Sequence, residues 1–169
     1  WGFPALPWVP PAPQRPPPRS ALTGARATLG SLVPALWASA IVAAVAAGAE
    51  LWRYVLLLAS RNDALPAGLV AASDALVMAA GTVAPILAVL AGVLLIVWSV
   101  RASRAAGDFA DVVPARSTRM IVAGWLVPVV NLSVPGSVLA EIEHAGLARP
   151  PGERPRPSRL LTAWWVLWV

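Results

Sequence analysis

Residues 124–135 read Gly124-Trp125-Leu126-Val127-Pro128-Val129-Val130-Asn131-Leu132-Ser133-Val134-Pro135, a stretch apolar enough for a bilayer that nevertheless holds two prolines and an asparagine. Each proline removes a backbone donor and breaks the helical ladder. Lipid cannot replace the lost hydrogen bonds, so broken backbone at membrane depth survives only when protein packs around it or when it lines a water-filled cavity. A chain built around this stretch must therefore supply either an enclosing bundle or a site.

The remainder of the chain supplies apolar helices. Hydrophobic residues make up 58% and charged residues 12% of the sequence, about half the charge of an ordinary soluble domain, where it is about 25%. Long apolar runs recur, which marks an all-α integral membrane protein. There is no cysteine, and one histidine with two methionines cannot supply a set of haem ligands. No cofactor or metal is expected. All thirteen basic residues are arginines, for a net charge of +5. They flank apolar runs as cytoplasmic arginines do, and no basic face with interleaved aromatics on a soluble fold points to nucleic acid.

About four membrane segments are expected: two full spans, one proline-broken span or re-entrant segment, and the start of a last span. Residues 1–20 carry eight prolines interleaved with Trp1, Phe3 and Trp8. They read as an extended cytoplasmic arm, either a solvated spacer or a segment docked on a partner through those aromatics. Residues 21–169 form the transmembrane domain, with Arg15, Arg19 and Arg26 placing the N-terminus in the cytoplasm. The first span covers 29–49 and the second 75–100, joined by an outer loop over 60–73. Glu50 and Arg53 would each cost roughly 2.5–3.5 kcal/mol at the bilayer centre, so they belong at the outer interface, where they are spaced to pair. Ala40, Ala44 and Gly48 on the first span, and Ala84, Ala88 and Gly92 on the second, fall at i, i+4, i+8 and are expected to pack as facing small-residue ridges. The broken segment covers 120–139. The arginines at 149–159 disfavour a simple crossing there, so a kinked span and a re-entrant dip remain equal readings. Leu160–Val169, with Trp164, Trp165 and Trp168, opens the last span, and the sequence is expected to be part of a longer protein.

Arg119 to Pro135, with Gly124-Trp125, Pro128, Asn131-Leu132 and Pro135, resembles an uncharacterised family of actinobacterial multi-pass membrane proteins filed as a domain of unknown function. A proline-rich N-terminus, Arg101 and Arg104 after the second apolar run, and the closing Trp164-Trp165-x-x-Trp168 extend the resemblance over roughly residues 20–169. Gly136 departs from it, since many members carry an aromatic residue there. The resemblance implies about four membrane segments and no activity.

The polar residues suggest little chemistry. Glu141 and His144 share a helix face as in di-iron bundles, but those need two such motifs and two further carboxylates. They read instead as a polar helix end with Gly146 as its cap. A buried Asn131 must find hydrogen-bond partners, either by serving the carbonyls that Pro128 and Pro135 free, or by facing a permeant or lipid headgroup as in broken transporter helices. Two functions follow. One is a non-enzymatic accessory or structural subunit of a larger plasma-membrane assembly, respiratory or cell-envelope, partnered by the bilayer and other integral subunits. The alternative is a small transporter or channel-like protein using the broken helix, with Ser39, Ser73, Asp74, Thr82 and Ser99 as candidates for its polar path.

Overall fold

The computed structural model describes residues 18–110, 116–150 and 152–169, with side chains from residue 21 onward. Among the described residues the protein is entirely helical: α1 (Pro18–Ala59), α2 (Ala67–Ala110), α3 (Thr118–Leu126), α4 (Val134–Gly146) and α5 (Arg159–Trp168). The aromatic arm with Trp1, Phe3 and Trp8 lies outside the described residues.

α1 and α2 form a helical hairpin much longer than the two expected spans. At 42 and 44 residues they measure ~63 and ~66 Å at 1.5 Å per residue, roughly twice the ~30 Å hydrocarbon core. Apolarity locates a span, whereas helix formation needs only good helix formers. Ala21, Leu22, Ala25, Arg26 and Ala27 continue α1 below its apolar part, and the Arg-Ala-rich stretch 101–106 continues α2. Both helices run through their internal prolines, Pro34 and Pro85. The expected loop over 60–73 shrinks to 60–66, because the Pro66 carbonyl accepts from Leu69 N at 3.0 Å and starts α2 at once.

The hairpin seam runs in a register different from the expected ridges. Among the buried or half-buried positions, Ala25, Thr28, Leu32, Ala35, Ser39, Val42, Ala46 and Ala49 form a regular stripe on α1, and Ser73, Val77, Ala80, Ala84, Leu87 and Ala91 one on α2. Both sets step by alternating threes and fours, the 3.5-residue repeat that keeps one stripe facing a partner over many turns. A run at i, i+4, i+8 gains about 40° per step and slides off such a stripe. Accordingly Ala40, Ala44, Gly48 and Ala88 are exposed, Gly92 is half-buried, and of the six ridge residues only Ala84 sits on the seam. Small residues do bring the helices together, but they are chiefly Ala25, Ala46, Ala49, Ala80 and Ala91.

Polar contacts pin the hairpin at both ends. Arg53 pairs with Asp74 at 3.6 Å near the loop, a partner across the hairpin rather than Glu50 on its own helix. At the other end Arg101 of α2 donates to Thr28 Oγ1 at 2.6 Å and to the Gly24 carbonyl. The charge-free windows between them, residues 27–49 and 75–100, lie side by side and span ~35 and ~39 Å. α1 and α2 are each long and apolar enough to cross a membrane. α3 and α4 pass the same test only as a pair bent by 99°, so among the described residues there are two candidate spans, or three if the pair counts as one, and not clearly the four segments expected.

The register makes an asymmetric prediction. A Cβ added at Gly48 meets nothing within 4 Å, so Gly48→Leu leaves the melting temperature of the purified protein unchanged. Ala91 is only 4% exposed, and Ala91→Leu destabilises by about 1–3 kcal/mol through overpacking, read by thermal unfolding in detergent.

Candidate functional site

The break between α3 and α4 is built from the residues that made the stretch notable. Val127 closes α3 by donating to the Ala123 carbonyl at 2.8 Å. Pro128 has no N–H and cannot continue the ladder. Val129 then adopts φ 71°, ψ −51°, and Val130 N donates to the Pro128 carbonyl at 2.9 Å. This is a γ-turn with positive φ, a strained conformation for any side chain and a rare one for a β-branched residue. Residues Val130–Leu132 make one 3₁₀ turn before α4 begins.

Pro135 falls in the first turn of α4, so the donor that would reach the Asn131 carbonyl in a continuous helix is missing. The break itself leaves Leu132 O without its helical donor as well, and two indoles from α5 serve both carbonyls. Trp168 Nε1–H donates to Asn131 O at 3.2 Å and to Asn131 Oδ1 at 3.3 Å. Trp165 Nε1–H donates to Leu132 O at 2.8 Å. Asn131 is thus an acceptor for α5, and the donors expected of its own amide come from tryptophans more than thirty residues away.

The rings also hold the break by packing. Trp164 and Trp168 stack at 5.6 Å between centroids, and both lean on Trp125 of α3, at 6.4 and 5.9 Å. Trp125 joins Ile121 and Val138 in a core covered by Leu95, Ile96 and Val100 of α2. Two glycines permit this closeness. A Cβ on Gly124 would fall on Val134 Cγ1, and one on Gly136 would lie 2.9 Å from Trp165 Cδ1. Gly136 is therefore the residue on which Trp165 rests.

Both limbs of the broken element start from the same end of the hairpin. At the foot of α3, Arg104 of α2 donates to Thr118 Oγ1 at 3.0 Å. At the foot of α4, Ile142 and Gly146 share a 570 Å³ apolar cavity with Leu22 of α1 and Ala102, Ala106 and Phe109 of α2. Arg116 pairs with Glu141 at 2.6 Å and ties the two feet together. Glu141 and His144 therefore serve different partners, since His144 Nε2 meets the Pro150 carbonyl at 3.0 Å. Gly146 is not the cap. The left-handed residue is Ala148, at φ 51°, and Arg149 N returns to the His144 carbonyl at 3.2 Å while Ala148 N reaches Ala145 O at 2.9 Å, the paired bonds of a Schellman motif.

The structure brings together Gly124, Trp125, Pro128, Asn131 and Pro135. It does not join them to the hairpin residues Ser39, Ser73, Thr82 and Asp74. Ser99 is fully buried and donates to its own helix at Leu95 O, 2.8 Å away, and Thr82 does the same at Met78 O. The residues missed by sequence reasoning are Trp165 and Trp168 as backbone donors. Their only sequence signal is the orphaned carbonyl that Pro135 implies. A model of the family described as a domain of unknown function (DUF4328) matches residues 61–169. No curated protein and no solved structure matches the chain.

Removing an indole donor while keeping the ring bulk isolates the clamp. Trp165→Phe leaves Leu132 O unpaired and costs about 1–3 kcal/mol, seen as a lower melting temperature. Gly136→Ala displaces Trp165 and lowers it as well, whereas Gly152→Ala, in open space, does not.

Proposed function

The chain belongs to the family of that domain of unknown function, DUF4328, and we infer that it is a non-catalytic accessory or structural subunit of a larger membrane assembly. The observation that carries this reading is the internal use of the polar groups at the helix break. A transport path would need Asn131 open to a continuous polar lining. Instead both Asn131 oxygens accept from Trp168, and the neighbouring Leu132 carbonyl accepts from Trp165. Ser99 is sealed in its own helix. What the protein leaves outward is apolar: on α1, Trp37 is 68% and Ile41 59% exposed beside the unpartnered Ala40, Ala44 and Gly48. Small residues flanked by bulky apolar ones are what a further helix packs against within a bilayer.

In this reading α1 and α2 cross the plasma membrane as a hairpin, with the N-terminus and the 101–119 segment in the cytoplasm. The broken element dips in and returns to the same side. Its support is the joint footing of α3 and α4 on the α2 end that carries Arg101 and Arg104, which accords with the arginine bias of cytoplasmic flanks.

Two measurements test these claims. Purification from native membranes in gentle detergent yields further polypeptides at fixed stoichiometry; a lone monomer or homo-oligomer contradicts the subunit reading. The sequence has no cysteine, so single cysteines report topology directly. With an impermeant thiol reagent on intact cells, Asp63→Cys is labelled and Gly152→Cys is not; labelling of both would make the broken element a full span.

A further inference from the structure

Beyond the foot of α4, the chain folds back past the helix end and borders an open cavity of about 540 Å³ lined by His144, Arg149, Glu153, Arg154, Arg156 and Pro157. We propose that this cavity binds a phosphate-bearing anion, through the guanidinium groups of Arg149, Arg154 and Arg156 and the imidazole of His144.

Three observations converge on the site. First, it concentrates positive charge without neutralising it. Three arginines face one lining glutamate; among the described residues none of the three makes an ion pair within 4 Å, and Glu143 opposes Arg149 at longer range. Guanidinium forks match the oxygens of phosphate and bind them in pairs.

Second, His144 is buried, at 7% exposure, and lines the cavity. Its Nε2 faces the Pro150 carbonyl, an acceptor, so Nε2 carries a proton. Its Nδ1 is buried and has no partner among the described residues. A buried nitrogen without a partner is costly. Nδ1 is covered in the structure, so a phosphate O–H meets its lone pair only as the ring turns toward the cavity.

Third, the loop that carries the lining is held at both ends. The Schellman turn fixes Arg149 directly after α4, and Arg149 donates through its guanidinium to the Arg156 carbonyl at 3.1 Å. Glu143 accepts from Ser158 N at 3.0 Å and anchors the far end of the same loop. Arg149 is thereby held beside His144, and the exposed side chains of Arg154 and Arg156 line the same cavity without hydrogen bonds of their own among the described residues. The volume far exceeds a bare phosphate, so an ester substituent fits as well. The site lies at the hairpin end that carries Arg26, Arg101 and Arg104, where an anionic lipid headgroup and a soluble phosphate would both have access.

The experiment uses the full chain in detergent. Native mass spectrometry measures retained phosphatidylglycerol against phosphatidylcholine, and a thermal-shift titration uses inorganic phosphate. The paired variant Arg154→Gln/Arg156→Gln tests the site, because neither side chain makes a hydrogen bond within the described residues. Arg26→Gln, at the same end but lining another cavity, is the control. With a headgroup as ligand, phosphatidylglycerol is retained preferentially, and the paired variant loses this by at least about fivefold, as roughly 1 kcal/mol per interfacial arginine implies, while Arg26→Gln does not. With a soluble ligand, phosphate raises the melting temperature of the unmodified chain and not of the paired variant, and the two lipids are retained alike. Glu153→Gln removes the opposing charge and strengthens whichever binding is seen, a gain that unfolding cannot mimic. No binding of either probe, or binding equal in the unmodified chain and the paired variant, overturns the proposal.

Discussion

Backbone carbonyls with no helical donor are the constraint on which the broken element depends. Pro128 and Pro135 remove donors from a stretch too apolar for water to repair. The protein answers with indole N–H groups from α5, at 2.8 Å to Leu132 O and 3.2 Å to Asn131 O. Tryptophan suits this task because its ring is apolar and its single polar atom is a donor only. A hydroxyl or an amide would bring acceptors that need partners of their own. The arrangement explains why α5 lies along α4: its foot is fixed by Glu143 at Ser158, and its far end is fixed by the break.

The hairpin solves a simpler problem by different means. Within lipid there is no hydrophobic drive to pair two apolar helices, so close approach and end contacts decide. Alanines on a heptad stripe provide the approach, while Arg53–Asp74 and Arg101–Thr28 set the axial register. The charged groups of these contacts, Arg53, Asp74 and Arg101, sit outside the charge-free windows, where they do not carry the cost of a charge in lipid. α2 then uses a second face, Leu95, Ile96 and Val100, to seat the broken element.

Much of this was legible in the sequence, and the failures have physical causes. Apolar length located both spans, and proline spacing located the break. The small-residue ridges went astray because a run at i, i+4, i+8 is a short-range signal, whereas a seam that runs from Ala25 to Ala49 must obey the 3.5 repeat. Gly146 was a reasonable cap by residue type, but the chain has enough freedom to place Ala148 in the left-handed region instead. The roles of Trp165 and Trp168 could not be read from spacing, since their acceptors lie 33 and 37 residues away and depend on how α5 docks. Their adjacency suggested an interfacial belt, which explains the rings and leaves the N–H groups unassigned.

Magnitudes suggest that the break and α5 are one unit. Holding Val129 at φ 71° costs on the order of 1–3 kcal/mol. Each indole hydrogen bond returns a net of about 0.5–1.5 kcal/mol, and each of the three ring contacts about 0.5–1.5 kcal/mol beyond area burial. Together these gains are at least of the order of the strain, so the docking of α5 offsets the cost of the turn. Without α5 the γ-turn would be strained and its carbonyls unpaired, and without the break the indoles would lose their acceptors. Because the loop that carries the arginines past His144 also leads into α5, a disturbance at Asn131 would be felt at the other end of α4, through the helix that joins the two sites.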